Sequence, residues 1–157
     1  MKDSKKTPAP ESPTAVHVWL VMLKAFQSVA QCLGRKLRES GLGDSDFRVL
    51  EVLLHKGPLP VNTIGPKVFL TPGSISIAVD RLYERGLVSR VDSETDRRVK
   101  VVDLTAKGRR LISCVFEAHT TYLDELAADL TPSERVQMIK GLKKFGKKAE
   151  AEHRGAV

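Results

Sequence analysis

The stretch "TPGSISIAVDRLYERGLVSRVDSETDRRVKVVDLT", residues 71 to 105, constrains the fold more than any other part of this chain. Thr71 can cap the orphan N–H groups of a helix, and Pro72 suits the first helical position. Ile75, Ala78, Val79 and Leu82 recur as one apolar stripe, and Gly86 supplies the stop. The period then changes. "LVSRV" reads as a strand, Asp92 to Asp96 as a loop, and "RVKVVDL" as a returning strand. Gly73, Ser74, Ser76, Ile77 and Arg81 lie off the apolar stripe, and Arg97 and Arg98 sit at the tip of the strand pair.

The segments before this stretch are helical. Trp19, Leu23, Phe26, Val29 or Ala30, Leu33 and Leu37 recur at three- or four-residue steps, predicting a long amphipathic helix that stops near Gly41. A second helix is expected from about Asp44 to Lys56, with Phe47, Leu50, Leu53 and Leu54 inward and Gly57-Pro58 ending it. "PVNTIGPKVFL" predicts a short or distorted third helix after Pro60, because the interior Pro66 removes a hydrogen bond unless the helix begins near Asn62. After the strand pair, Thr105 caps a long fifth helix carrying Leu111, Ile112, Val115, Phe116, His119, Leu123 and Leu126. "TPSE" at 131 to 134 combines a capping box, Thr131 with Glu134, and a proline at the first position. It opens a sixth helix with Val136, Ile139, Leu142 and Phe145 on its stripe. Residues 1–14, rich in Pro, Ser, Thr and Lys, carry no periodicity and read as a disordered tail before a single domain over 15–157.

The pattern is mainly α with a small β-hairpin wing: a winged helix-turn-helix of six helices. Its flanking helices, 15–41 and 106–152, are too amphipathic to stand alone, and the economical cover is a second copy of the chain. A dimer presenting two reading units matches two half-sites of a duplex, so residues 44–105 read as a DNA-binding region on a pseudo-palindromic operator. A formal charge of +7 in 157 residues agrees with a polyanionic partner. No apolar run is expected to approach the roughly 18 residues of a membrane span, and the start lacks the form of a signal peptide. A cytoplasmic protein is expected, with no membrane partner. The histidines and cysteines share no catalytic or metal-ligand spacing, so neither enzyme activity, metal nor cofactor is expected.

"LTPGSISIAVDRLYERGLVSRV" followed by "DRRVKVVDLTAKGRRLI" resembles the recognition helix and wing of MarR-family winged-helix transcription regulators. The run Asp96-Arg97-Arg98, then Leu104-Thr105 and Gly108, stands at the family's spacing after Val79-Asp80-Arg81-Leu82 and Gly86-Leu87-Val88. The resemblance implies an obligate homodimer joined through its first, fifth and sixth helices. It implies a fourth helix in the major groove, a wing tip in the adjacent minor groove, and repression relieved by a small aromatic or phenolic compound or by cysteine oxidation. The stretches "LISCVFEAHTTYLDEL", "LTPGSI" and "LKKFG" are similar to a branch that responds to quinones and catechols.

Each candidate residue carries a functional and a plainer reading. Gly73, Ser74, Ser76, Ile77 and Arg81 are the candidate DNA contacts of the fourth helix; Ser74 and Ser76 can meet phosphates and base edges at a helix start, or simply favour that start. Ile77, where the family often carries a polar residue, can contact a thymine methyl or pack under the wing. Arg97 and Arg98 suit a narrow, electronegative minor groove, while one of them can turn back to Asp80 or Asp96. Phe26, Phe47, His55 and Phe116 are candidates for the effector pocket that the family places between the first, second and fifth helices. Cys32 and Cys114 read as inert packing unless exposed with a low pKa. The lysine-rich end of the sixth helix reads as a solvated charge run.

Overall fold

A computed structural model describes residues 12–92 and 99–155. Among them are six helices and three strands: α1 (Ala15–Glu39), α2 (Asp44–Lys56), β1 (Leu59–Pro60), α3 (Val61–Val68), α4 (Pro72–Glu84), β2 (Val88–Asp92), β3 (Lys100–Leu104), α5 (Ala106–Leu126) and α6 (Pro132–Gly155). The chain divides into two compact units, Met1–Val115 and Phe116–Val157.

The first unit is a winged helix. Its core comes from α2, α3, α4, the sheet and the start of α5: Val49, Leu50, Leu53, Ile64, Ile75, Ala78, Leu82, Val88, Val102 and Ile112 are all buried. The four residues expected on the inner stripe of α4 are its four buried residues. On α2, Leu54 is only half-buried, while Val49 and Val52 join Phe47, Leu50 and Leu53 inside. The sheet is antiparallel in the order β1-β3-β2, with Val88 opposite Leu104 and Asp92 opposite Lys100.

The third strand, β1, was absent from the sequence reading. Leu59 and Pro60 pair with Val102 and Val101 of β3. Two residues carry no periodic signal, and proline argues against a strand except at an edge, where no ladder N–H is required of it. Helix α3 then starts at Val61, so Pro66 lies in its second turn rather than its first. The helix lasts eight residues and closes on Phe69, a non-glycine residue in left-handed geometry (φ 55°).

Two glycines explain how α4, the sheet and α5 join. Gly86 adopts φ 66°, which lets the chain leave α4 and enter β2 with three residues between them. Gly108 permits a backbone contact, since a Cβ there would stand 1.9 Å from the carbonyl oxygen of Leu87. Thr105 completes the joint. Its hydroxyl donates to the Gly86 carbonyl at 2.8 Å and accepts from the Gly108 N–H at 3.0 Å.

Helix α1 corrects one expectation. It contains an 18-residue window of mean hydropathy 1.3, enough by length and composition to cross a membrane. The helix is two-faced, however. His17, Lys24, Ser28, Gln31 and Arg35 follow one another at helical spacing as a polar stripe that lipid would have to cover. Val16, Trp19, Leu20, Val21 and Phe26 are exposed, and Leu37 is its buried residue.

The second unit holds the end of α5 and all of α6. The capping box at its turn forms as expected: the Thr131 N–H donates to Glu134 Oε2 at 2.8 Å, and the Glu134 N–H to Thr131 Oγ1 at 3.3 Å. These bonds, the Thr131 hydroxyl's first, hold the Glu134 carboxyl below its ordinary pKa. Arg135 ties the turn by donating to the carbonyls of Leu130 and Ala127. Val136, Ile139, Leu142 and Phe145, the expected stripe of α6, are exposed.

Candidate nucleic-acid interface

The outer surface of α4 is set by its cap. Thr71 Oγ1 accepts from the Ser74 N–H at 3.2 Å and lies 2.9 Å from Ser74 Oγ. With Pro72 following, the helix starts on a fixed residue and its first turn faces outward. Gly73 and Ser76 are exposed, and Ser74 is half-buried. The Ser76 hydroxyl donates to the Pro72 carbonyl at 3.1 Å, which leaves its oxygen lone pairs available. Ile77 is 62% exposed, so it stands out from the helix among these polar groups. Helical spacing places Gly73, Ser76, Ile77 and Asp80 on one outward face.

Arg81 turns elsewhere. Its Nε donates to Asp46 at 2.9 and 3.0 Å, and its Nη2 reaches Asp46 Oδ1 at 2.5 Å and Ser45 Oγ at 3.2 Å. Arg85 adds a longer contact to the same carboxylate at 3.6 Å. The hydrogen bond to Asp46 is the main reason the Arg81 guanidinium holds its proton more tightly than usual. Asp46, in the first turn of α2, is 2% exposed. Asp46 is not among the sequence candidates, although a signal for it is present: Asp46, Leu50 and Leu53 stand four and three apart, which puts a carboxylate on the apolar stripe.

A third arginine holds the opposite edge of α4. Arg90 of β2 donates to Asp80 at 2.5 Å, and its guanidinium carbon lies 4.9 Å from the centre of the Tyr83 ring. At the loop end of the strand pair, Lys100 bonds Asp92 across the strands. Arg97, Arg98 and the other candidate partner, Asp96, lie outside the described residues.

Between α3, α4 and the foot of β3 lies a groove of about 520 Å³, lined in part by Asn62, Pro66, Ile75, Ser76, Val99 and Lys100. None of the four expected pocket residues lines it. Phe47 is a core side chain, Phe26 is 65% exposed on α1, and His55 lies 3.9 Å from Glu51 on the surface of α2. Phe116 is half-buried and belongs to the second unit. Cys114 is exposed, and Cys32 is half-buried with its sulfur 3.8 Å from Arg35 Nη2.

Comparison with known proteins agrees with this geometry. A family model described as MarR family matches residues 40–99, from the entry to α2 to the residue before β3. The HTH-type transcriptional regulator MhqR of Bacillus subtilis is 34% identical over 139 residues, covering 88% of this chain and 96% of the relative. The transcriptional regulator BldR of Sulfolobus solfataricus superposes with a TM-score of 0.74 at 25% identity, over 85% of this chain and 94% of its own. BpsR of Bordetella bronchiseptica, solved to explain how 6-hydroxynicotinic acid regulates its DNA binding, has the same fold, with a TM-score of 0.74 at 23% identity over 82% of this chain and 98% of its own. A winged helix with an outward-facing, capped fourth helix, matched over nearly its whole length by such a relative, belongs to the MarR family of DNA-binding transcription regulators.

Proposed function

We propose that this protein is a homodimeric, cytoplasmic transcription repressor with no catalytic activity, which reads a pseudo-palindromic operator and is released by a small aromatic, phenolic or quinone-like effector. The observation that carries the DNA-reading part is the outward face of α4. Gly73, Ser76 and Ile77 stand clear of the core beside a capped helix start, with Ser74 at the edge. The serines supply hydroxyls to phosphates or base edges, and Ile77 supplies a methyl surface for thymine. Arg97 and Arg98, which fall between β2 and β3 in sequence, enter the minor groove.

Dimerisation is supported by the apolar stripes of α1 and α6, which are exposed over most of their length. Residues 15–41 and 106–152 form the dimer, and 44–105 read DNA. The effector class rests on the similarity to the quinone- and catechol-responsive branch and on BpsR, whose DNA binding is regulated by 6-hydroxynicotinic acid, an aromatic acid. A thiol switch is the second reading, favoured by the Arg35 guanidinium beside Cys32.

The test is binding to a duplex from upstream of the protein's own gene, measured across a salt series. A steep loss of affinity with salt is expected, as phosphate contacts release counterions. Changing Arg97 and Arg98 together to alanine is expected to weaken binding while the dimer persists in sedimentation. Unchanged affinity would remove the wing from the mechanism. Adding catechol or benzoquinone separates the two switches: release that survives Cys32→Ser with Cys114→Ser is ligand binding, and release that vanishes is thiol chemistry.

A further inference from the structure

The two edges of α4 are held by different means, and the residues at those edges are charged. On one edge Arg81 and Arg85 converge on Asp46 of α2. On the other, Arg90 of β2 holds Asp80 and covers Tyr83. Between the edges lies the outward face with Gly73, Ser76 and Ile77. Beneath lies the apolar stripe of Ile75, Ala78, Val79 and Leu82. An apolar stripe alone is a poor guide to rotation, because hydrophobic contact is non-directional and tolerates a helix rolling by a fraction of a turn. Hydrogen-bonded ion pairs have direction. Arg81 grips Asp46 through both Nε and Nη2, a two-point contact that fixes the helix's angle as well as its distance.

Stability does not account for a carboxylate placed there. Asp46 is 2% exposed, and burying a charge costs so much that well-packed apolar residues commonly do as well or better. The best-attested gain from such a pair is registry. We infer that Asp46 is a positioning residue for DNA recognition: with Arg81 it sets the rotation of α4, and Arg81 serves the interface through this pair rather than by touching a phosphate. The inference rests on the reading of α4 as the DNA-reading helix. A roll of α4 would carry Ser76 and Ile77 off their base edges together, while the electrostatic attraction to any duplex would remain.

The experiment compares binding to the upstream duplex and to a scrambled duplex of equal length, each over a salt series. Asp46→Asn is expected to lose about tenfold on the upstream duplex, the size of one mismatched base pair. Its binding to the scrambled duplex stays within about twofold and its salt slope is unchanged, because no phosphate-contacting cation has been removed. Asp46→Glu, which keeps the charge, retains most of the preference. The double variant Asp46→Leu with Arg81→Met folds at least as stably as the wild type in a thermal melt, yet stays unselective. It carries the test even if Asp46→Asn fails to fold.

A folded double variant with wild-type preference would overturn the inference, because the pair would then be structural only. So would Arg81→Ala losing affinity equally on both duplexes with a salt slope smaller by about one, the mark of a lost phosphate contact. If the wild type itself does not distinguish the duplexes, the assignment of α4 as the reading helix fails and takes this inference with it. Selective wild type with selective variants refutes the positioning role alone.

Discussion

Leu53 and Leu142 are both leucines on the apolar stripe of an amphipathic helix, and they meet opposite environments. Leu53 on α2 is fully buried, whereas Leu142 on α6 is 43% exposed. The contrast extends to the regions around them. The winged-helix body closes its own core: α2, α3, α4 and the sheet bury one another's stripes. Helices α1 and α6 carry stripes just as regular and leave them largely open. Regular spacing therefore shows that a helix has a face to bury. It does not show whether the cover comes from the same chain. In this protein the winged-helix body is covered by its own chain, and the stripes of α1 and α6 are left open, as the proposed dimer requires.

The largest expected effect tests the first half of that comparison. Leu53→Ala should destabilise the body by about 2–5 kcal/mol, since it leaves a cavity in a closed core. Chemical denaturation of Leu53→Ala beside Leu142→Ala checks this, and similar midpoints at a protein concentration too low for dimers would contradict it. The second half is tested by Leu142→Asp with Phe145→Asp. Two charges on the α6 stripe should raise the dimer dissociation constant about 100-fold, as loss of buried apolar anchors does. Sedimentation should show monomers whose winged-helix unit still melts cooperatively. A variant that remains dimeric would place the interface elsewhere.

The smallest effect concerns the start of α6. Because Glu134 titrates below its ordinary value, its capping contribution is fully present above the pKa of an unfolded glutamate and is lost as pH falls through the lower folded-state value. Acid below the ordinary glutamate pKa should therefore fray the first turn of α6 before it disturbs the buried body. Glu134→Gln should remove that pH dependence, and NMR titration of the carboxyl carbon reads both. A Glu134 that titrates at the unfolded value would show that the box does not form.

Much of the fold could be read along the chain because its signals are local. Caps at Thr71, Thr105 and Thr131 and the stops at Gly57 and Gly86 all fell where the sequence places them. Strand β1 did not, because a leucine and a proline following Pro58 resemble a turn until β3 arrives to pair with them. The site divides in the same way. The outward positions Gly73, Ser76 and Ile77 follow from the α4 period alone. Arg81 looked equally available on that basis, and only the approach of α2 shows where its guanidinium goes.

By itself, the sequence determined which segments are helices, where they stop, that a hairpin follows the fourth helix, and through its motif the family. These depend on capping, glycine and proline geometry, and periodicity, all of which act within a few residues. Only the tertiary structure decided that Asp46 would be buried beneath two arginines, that Gly108 must lie against the Leu87 carbonyl, and which apolar stripes remain uncovered. Each of these depends on a meeting between segments about twenty or more residues apart. No local pattern records such a meeting, because its energy exists only once the chain has folded.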